Sequence, residues 1–350
     1  MFKFILRRLI YGFFVILGVI IVVFLLFHAL PGDPVSMMTG QRSDVMSRKV
    51  ISEELGLEEP LPMQLLLYLN DISVLSVHDD TAENFQKYDY TRLFHVNQNI
   101  VVIKRPYLRR SFETKKRVDE IIMENANGTF WLAGAAMLFA TFFGVLFGLI
   151  SALYKGSFFD NALVIISVIG ISAPSFVAAI LISMLFGYYL HDFTGLPMQG
   201  ALWDNDPFEG RQLHLKNLIL PAFTLGIRPL STIMQMTRNA MLDVLSQDYI
   251  RTAKAKGLGK IQINLKHALR NALNPVITSV SAWLASMMAG TFFIEYIFTW
   301  KGLGSVTILA VENKNLPVIM GVTLFVALTF VLVNIIVDIL YSIIDPRVRL

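Results

Sequence analysis

Apolar residues gather along the chain in six long runs, 9–30, 130–153, 162–190, 218–237, 275–298 and 316–344, with charge returning between them. About 20 mostly apolar residues suffice to cross a hydrocarbon core as a helix, so each run predicts a membrane span. The pattern changes after the first. Leu30-Pro31-Gly32-Asp33-Pro34 stops that helix and turns the chain, since two prolines and a glycine disfavour its continuation. Residues 43–57 predict an amphipathic helix, with Val50, Leu55 and Leu57 set among charges. Over 78–110, aromatic and β-branched residues such as Tyr88, Tyr90, Phe94, Val101 and Val102 punctuate a polar stretch, the pattern of a small strand-containing subdomain.

Composition agrees with the spans. Of 350 residues, 55% are apolar and 16% charged, against roughly 25% charged in an ordinary soluble domain. A soluble enzyme is thereby excluded as the default reading, and so is a disordered chain. Cysteine is absent, which removes disulfides, thiolate zinc sites and cysteine nucleophiles. The net charge of +4 gains meaning from its placement. With the N-terminus inside, the short cytosolic segments hold twelve Lys and Arg, whereas the short outer loops 191–217 and 299–315 hold only Arg211, Lys216, Lys301 and Lys314. Basic residues accumulate in short cytoplasmic loops, so both termini are expected in the cytosol and 33–128 outside. The first run is longer than a signal-peptide core, and His28-Ala29-Leu30-Pro31 offers no small-x-small cleavage site. Residues 1–32 therefore read as a retained signal-anchor helix.

The longest cytosolic loop, 241–274, is the most informative segment. Leu245, Tyr249 and Ala253 share one face of a short helix, flanked by Arg251, Lys254 and Lys256, and Gly257 and Gly259 end it. Ile261, Leu265, Ala268, Leu269 and Ala272 then line one face of a second stretch that runs to Pro275. A small-residue helix bounded by glycine suits a groove on a partner protein. A basic amphipathic helix equally suits anionic headgroups. The residues alone leave both open.

Polar residues inside spans are costly and tend to face a bundle interior or a water-filled cavity. Thr224, Arg228, Ser231, Gln235 and Arg238 recur at i, i+4, i+7, i+11 and i+14 of the fourth run, beside Pro221, Gly226 and Pro229. They either line a translocation path or glue helices together. In the fifth run, Thr278, Ala282, Ala285 and Ala289 make a small-residue face with Ser279, Ser286 and Gly290 beside it, which suits close packing or a cavity. Gly144 and Gly148 form a GxxxG best read as packing, and Ser172, Pro174 and Ser175 a structural kink. Asp338 lies near the polar end of the sixth run, where it reaches the interface, pairs with a base or touches solute. Glu295 sits by the expected outer mouth, before Gly302-Leu303-Gly304, as a contact for solute or gate.

No catalytic residue, metal site or cofactor is expected. The six histidines include no helical zinc-protease pair, and no Gly-x-Ser-x-Gly elbow occurs. A Gly-x-x-x-x-Gly-Lys-Ser/Thr loop is likewise missing, so the chain cannot cradle ATP phosphates in that way.

Several motifs together carry a resemblance. Asp248-Tyr249-Ile250-Arg251-Thr252-Ala253-Lys254-Ala255-Lys256-Gly257-Leu258, followed by His267-Ala268-Leu269-Arg270-Asn271-Ala272-Leu273-Asn274-Pro275-Val276, resembles the cytoplasmic signature of permease subunits of ABC peptide importers. Arg251, Thr252 and Ala253 stand where the superfamily motif has Glu-Ala-Ala, and Gly257 matches its glycine. The proline lies further downstream, as in the dipeptide, oligopeptide and nickel branch. Leu6-Arg7-Arg8-Leu9 with Pro31-Gly32-Asp33-Pro34, Glu295-Tyr296-Ile297-Phe298 before Gly302-Leu303-Gly304, and Asp338-Ile339-Leu340-Tyr341 before Asp345-Pro346-Arg347 agree with it. The departures are an insertion over about 75–108 and Lys301, where the family commonly has proline.

The resemblance implies an all-α membrane protein of the type I ABC importer permease fold. Six spans and an extracytoplasmic region between the first and second would divide the chain into 1–32, 33–128 and a five-helix core, 129–350. It implies a paralogous second permease subunit, two cytosolic ATPase subunits, an extracytoplasmic binding protein and a peptide substrate, all working by alternating access in the inner membrane of a bacterium. Nucleic acid has no part in it. Tyr249, Arg251, Thr252, Ala253, Ala255 and Gly257 would couple to the ATPase, and Thr224, Arg228, Ser231, Gln235, Ser286 and Glu295 would line the path. The rival readings are an autonomous secondary transporter or channel, and an importer of nickel chelates.

Overall fold

Apolar length makes most of this chain helical, and breaks in that pattern set where the helices end. The computed structural model describes residues 2–29, 52, 57–96, 99–206 and 210–344. The Pro31–Pro34 turn, most of the helix expected over 43–57, and Asp345-Pro346-Arg347 lie outside the described residues. In chain order the helices are α1 (Phe2–Ala29), α2 (Leu61–Ile72), α3 (Ala82–Tyr88), α4 (Val118–Leu153), α5 (Phe158–Ser172), α6 (Ser175–Met184), α7 (His191–Thr194), α8 (Lys216–Leu245), α9 (Asp248–Ala255), α10 (Arg270–Gly290), α11 (Phe292–Ile297), α12 (Leu303–Glu312) and α13 (Leu316–Ile344). π-Helical turns, Leu185–Tyr189 and Ile263–Leu269, extend α6 and precede α10. The all-α expectation holds for the chain as a whole, with two small antiparallel sheets added to it.

Three helical stretches are long and apolar enough to cross a membrane: Leu6–Leu26, Val118–Leu153 and Leu316–Ile339. The third predicted run is a pair of helices, Phe158–Ser172 and Ser175–Tyr189, bent by 111°. Its cause is local. Pro174 disfavours helical backbone at the residue before it, and Ala173 is extended with φ −70° and ψ 130°. The kink expected at Pro174 is thus a sharp break. The fourth and fifth runs are helices of 30 and 21 residues, and their polar side chains keep them below the apolarity of the other three.

The chain divides into two units. One comprises Met1–Ile10, Ala126–Ser305 and Thr329–Leu350. Leu132, Ala136 and Ala140 of α4, Ile233 of α8, Val276 and Met287 of α10, Phe298 and Trp300 build its core. α8 is seated on glycines. A Cβ on Gly144 would come within 2.8 Å of Ile233, one on Gly148 within 2.6 Å of Thr237, and one on Gly170 of α5 within 2.6 Å of the Ser231 hydroxyl. The GxxxG is packing, as expected: backbones approach this closely only where side chains are missing. In the same unit Arg8 pairs with Asp338 at 3.0 Å, so that acid meets a base.

The other unit comprises Tyr11–Asn125 and Val306–Leu328, with Val23, Phe24, Tyr68, Phe112, Leu316 and Met320 as one core. Asn315 stitches it: its Nδ2 donates to Ser111 Oγ at 2.7 Å, and Phe112 N donates to its Oδ1 at 3.1 Å. The 75–108 insertion has a fold of its own. Strands β1 (Leu75–Asp79), β2 (Thr91–Val96) and β3 (Asn99–Ile103) form an antiparallel sheet in the order β1-β3-β2, with a bulge between Arg92 and Phe94. Thr81 caps α3, accepting from Asn84 N at 3.2 Å, and Asp89 ends it at φ 48°. Tyr88, Tyr90, Ile100, Val102 and Tyr107 are the subdomain's core.

Two ionisable side chains are enclosed there. His78 is buried, stacks on Tyr88 at 4.2 Å, and has no hydrogen-bond partner for Nε2. Burial, aided by the Lys104 cation, pushes its pKa down to about 4. Lys104 donates to the Asp71 carbonyl, and Tyr88 Oη donates to Asp71 Oδ1 at 2.8 Å. Burial pushes Lys104 down to about 8. Between pH 6.5 and about 4 the unfolded chain takes a proton on His78 that the folded subdomain refuses. Stability of the subdomain should therefore fall as pH drops through that window. Hydrogen exchange of β1–β3, corrected for intrinsic rates, should show weaker protection at pH 5 than at pH 7, and H78F should flatten the difference. An unchanged wild-type protection would refute the assignment.

Candidate coupling and translocation site

The loop after α8 begins with a capped helix. α9 ends in a Schellman arrangement: Gly257 N donates to Lys254 O at 3.0 Å and Leu258 N to Ala253 O at 3.3 Å. The residue between must be left-handed, and Gly257 takes φ 77° at no steric cost. Glycine is required here by geometry.

α9 turns one face toward the chain's own helices. Ile250 and Ala253 are buried, packed in one cluster with Ala152 at the end of α4, Met241 of α8, Ile263, Ala268 and Ala272. Tyr249 is 43% exposed, and its hydroxyl accepts from Asn271 Nδ2 at 2.8 Å. The seat takes the wholly apolar Ile250 and leaves the amphipathic tyrosine at the rim. Ala253, expected at a partner contact, faces the chain's own core instead. Tyr249, Arg251, Thr252, Ala255 and Gly257 remain on the outside.

Beside this seat lies a buried ion pair that the sequence reading missed. Arg238 of α8 donates to both carboxylate oxygens of Asp160 in α5, at 2.7 and 2.8 Å. Ser151 Oγ of α4 donates to the same carboxylate, and Gly156 N reaches Oδ2 at 2.9 Å. Asp160 is buried. Three helix ends meet at one carboxylate. The available signal was a lone acid at the start of an apolar run, which names no partner.

The stripe along α8 divides. Thr224 and Ser231 are buried and return their hydroxyls to Leu220 O at 2.7 Å and Ile227 O at 2.9 Å. Gln235 Nε2 donates to Ser167 Oγ at 3.0 Å. These polar groups find partners within the chain, the two hydroxyls by back-bonding to the preceding turn. Arg228 is different. It is exposed, and among the described residues its guanidinium has no hydrogen-bond or ion-pair partner. Thr224, Arg228 and Ser231 border a cavity of about 730 Å³ whose walls also include Phe139, Phe143 and Phe223. On α10, Ala285 is buried, and Thr278, Ala282 and Ser286 form the exposed row one turn apart.

Glu295 also finds its partners within the chain. It is fully buried and accepts four hydrogen bonds, from Thr129 Oγ1 at 2.7 Å, Thr291 Oγ1 at 2.8 Å, Gly304 N at 2.7 Å and Ser305 N at 3.2 Å. Leu303 N donates to Thr129 Oγ1 at 2.8 Å, and Trp300 Nε1 to Gly128 O at 2.9 Å. A Cβ on Gly302 would fall 2.3 Å from the carboxylate. The start of α12 exposes backbone N–H groups that need acceptors, and Glu295 supplies them. It is a clamp on the start of α12.

Both carboxylates yield predictions. D160N leaves a largely buried guanidinium without its counter-charge, so thermal unfolding in detergent should report a loss of about 3 kcal/mol or more. A D160L/R238M double variant should lose less. E295A strands four donors, each buried donor costing roughly 1–3 kcal/mol, and E295Q keeps one acceptor for the backbone pair. E295A should therefore melt well below E295Q; equal melting would refute the clamp.

Comparisons with known proteins agree with one another. The family described as "Binding-protein-dependent transport system inner membrane component" matches residues 144–350, and the N-terminal domain of the same membrane components matches 1–133. The chain is 33% identical to the dipeptide transport system permease protein of Escherichia coli strain K12 over 370 aligned positions, covering 100% of this chain and 99% of that protein. It is 35% identical over 367 positions to the di/tripeptide transport system permease protein of Pseudomonas aeruginosa, with the same coverage. It is 31% identical over 349 to the glutathione transport system permease protein of Salmonella choleraesuis, again with 100% and 99% covered. Among solved structures, the inward-facing MetNI methionine ABC transporter aligns at 15% identity with a TM-score of 0.49, over 65% of this chain and 97% of that one.

Proposed function

The chain belongs to the family of binding-protein-dependent transport system inner membrane components, and from that premise we propose that it forms one half of the membrane pathway of an ATP-driven importer of di- or oligopeptides. The observation that carries this is the α9 helix: its apolar underside is already seated on the chain's own helices, while a small, basic outer face is left for another protein. ATP hydrolysis belongs to two separate cytosolic subunits, since the chain has no phosphate-cradling loop of the usual kind. The exposed face of α9, with Tyr249, Arg251, Thr252, Ala255 and Gly257, meets one of them. Ala253 supports that face from behind.

Six spans with both termini cytosolic follow from the six apolar runs and the excess of Lys and Arg in short inner loops. α8 and α10 then serve as the two more polar spans. Thr278, Ala282 and Ser286 offer a small-residue row for close approach to a paralogous permease subunit, and Arg228 faces the path. The region 33–128 lies outside, where its βαββ insertion offers a contact for the binding protein or an accessory subunit. A peptide is favoured over a nickel chelate because the relatives are named for dipeptides, di/tripeptides and glutathione, itself a tripeptide.

Reconstitution with the partner permease, ATPases and binding protein should give dipeptide uptake that requires ATP and the binding protein. Uptake by the chain alone, without ATP, would instead support a secondary transporter. Within the complex, R251E and A255D should uncouple ATP hydrolysis from uptake and leave the melting temperature of the chain unchanged. A253D should lower it, because it buries an unpaired charge in the seat. If A253D melted as wild type while A255D did not, the inner and outer faces would be exchanged.

A further inference from the structure

Arg228 sits near the middle of α8. At about 1.5 Å per residue it lies roughly 18 Å from Lys216 and 26 Å from Leu245 along the helix. A cation at such a depth in a span needs an anion or water beside it. Among the described residues no acidic side chain pairs with it. Asp160, the buried acid next to α8, is engaged by Arg238, and the cavity that Arg228 borders contains no acidic residue. Arg228 is the only charged residue among those lining a wall otherwise built from groups such as Phe139, Phe143, Ala178 and Phe223. The bend of 111° at Pro174 sets α6 at an angle to α5, and residues of both helices line this space. At about 730 Å³ it falls within the few hundred to one thousand Å³ of small-molecule sites.

One cation beside an apolar, phenylalanine-lined hollow matches a small amphiphile with one carboxylate and one hydrophobic side chain. Lipid phosphates fit the charge but lie at the surfaces of a hydrocarbon layer about 30 Å thick. We propose that Arg228 holds the C-terminal carboxylate of the passing peptide while the adjoining cavity takes one of its apolar side chains. This rests on the reading of the chain as a peptide permease, and adds to it a subsite that selects for carboxylate and for side-chain size.

The test uses the complete reconstituted complex at saturating binding protein, with Ala-Ala and Phe-Phe as the transported probes. R228Q should lower the maximal uptake rate of both by about tenfold, the effect of losing one charge-assisted hydrogen bond. The half-saturating binding-protein concentration should not move, and R228K should recover part of the rate. A178W, which fills the cavity from α6, should slow Phe-Phe and spare Ala-Ala. R228Q at the wild-type rate would overturn the proposal. So would equal losses in R228K and R228Q accompanied by loss of the partner permease on purification, which would assign Arg228 to an ion pair between subunits. A178W slowing both peptides alike, or neither, would remove the side-chain subsite. A wild-type complex that takes up neither peptide would overturn the peptide reading itself, whereas uptake indifferent to R228Q overturns this proposal alone.

Discussion

Polar groups in a hydrocarbon solvent must find their partners inside the protein, because no water is present to replace them. The helical unit obeys this constraint at almost every polar side chain considered above. Thr224 and Ser231 bond back to their own helix, and Gln235 reaches Ser167 on α5. Asp160 gathers Arg238, Ser151 and Gly156 N, and Glu295 gathers two threonines and two backbone amides. Each carboxylate also solves a second problem. Asp160 joins the end of α4 to α5 and α8, and Glu295 satisfies the exposed N–H groups that begin α12. Charge is therefore used as a joint, with its position dictated by backbone ends.

Close packing supplies the other half of the architecture. Glycines at 144, 148 and 170 let α8 lie against α4 and α5 at distances that a methyl group would forbid. Hydrophobic burial gives little preference between lipid and a neighbouring helix, so such contact and the polar joints must hold helices together. α8 is the element on which both devices converge, and it leads within three residues into α9. The underside of α9 rests on Ala152 and Met241, next in sequence to Ser151 and one turn beyond Arg238. A displacement of α9 is in this way opposed by the Asp160 joint and by the glycine contacts together.

Much of this was legible from residue order, and what was not has a common cause. The apolar runs, the break at Pro174, the packing role of Gly144 and Gly148, and the glycine end of α9 all depend on neighbours within a few turns. Folding of the 75–108 insertion was visible in its aromatic and β-branched content, though its strand order was not. The failures are long-range or rotational. Nothing local tells Asp160 that its partner is 78 residues away, or Glu295 that a threonine 166 residues earlier completes its shell. The stripe at Thr224, Ser231 and Gln235 had the spacing of a pathway, but nothing in that spacing told which partners within the chain those groups would find. On α9 the spacing put Tyr249 and Ala253 on one face, whereas the buried pair is Ile250 and Ala253, a rotation of one position that amphipathic periodicity cannot resolve in a helix of eight residues.

That one-position rotation bears on the coupling role proposed for α9. A helix whose small residue met the partner directly would couple through a fit of surfaces, and any local loosening would decouple it. With Ile250 and Ala253 packed inward, the contact surface is instead the outer side of an element already fixed on three others, α4, α8 and the segment before α10. Force applied to the outer face passes into those helices without first compressing a gap. The small size of Ala253 sets how closely α9 can lie on its seat, and so the height at which Arg251 and Ala255 stand out from it. Glycine at 257 then turns the chain away at once, so that the outer face is not covered by its own continuation. In the proposed role, the signature residues of this segment divide into those offered to a partner and those that hold that surface in place.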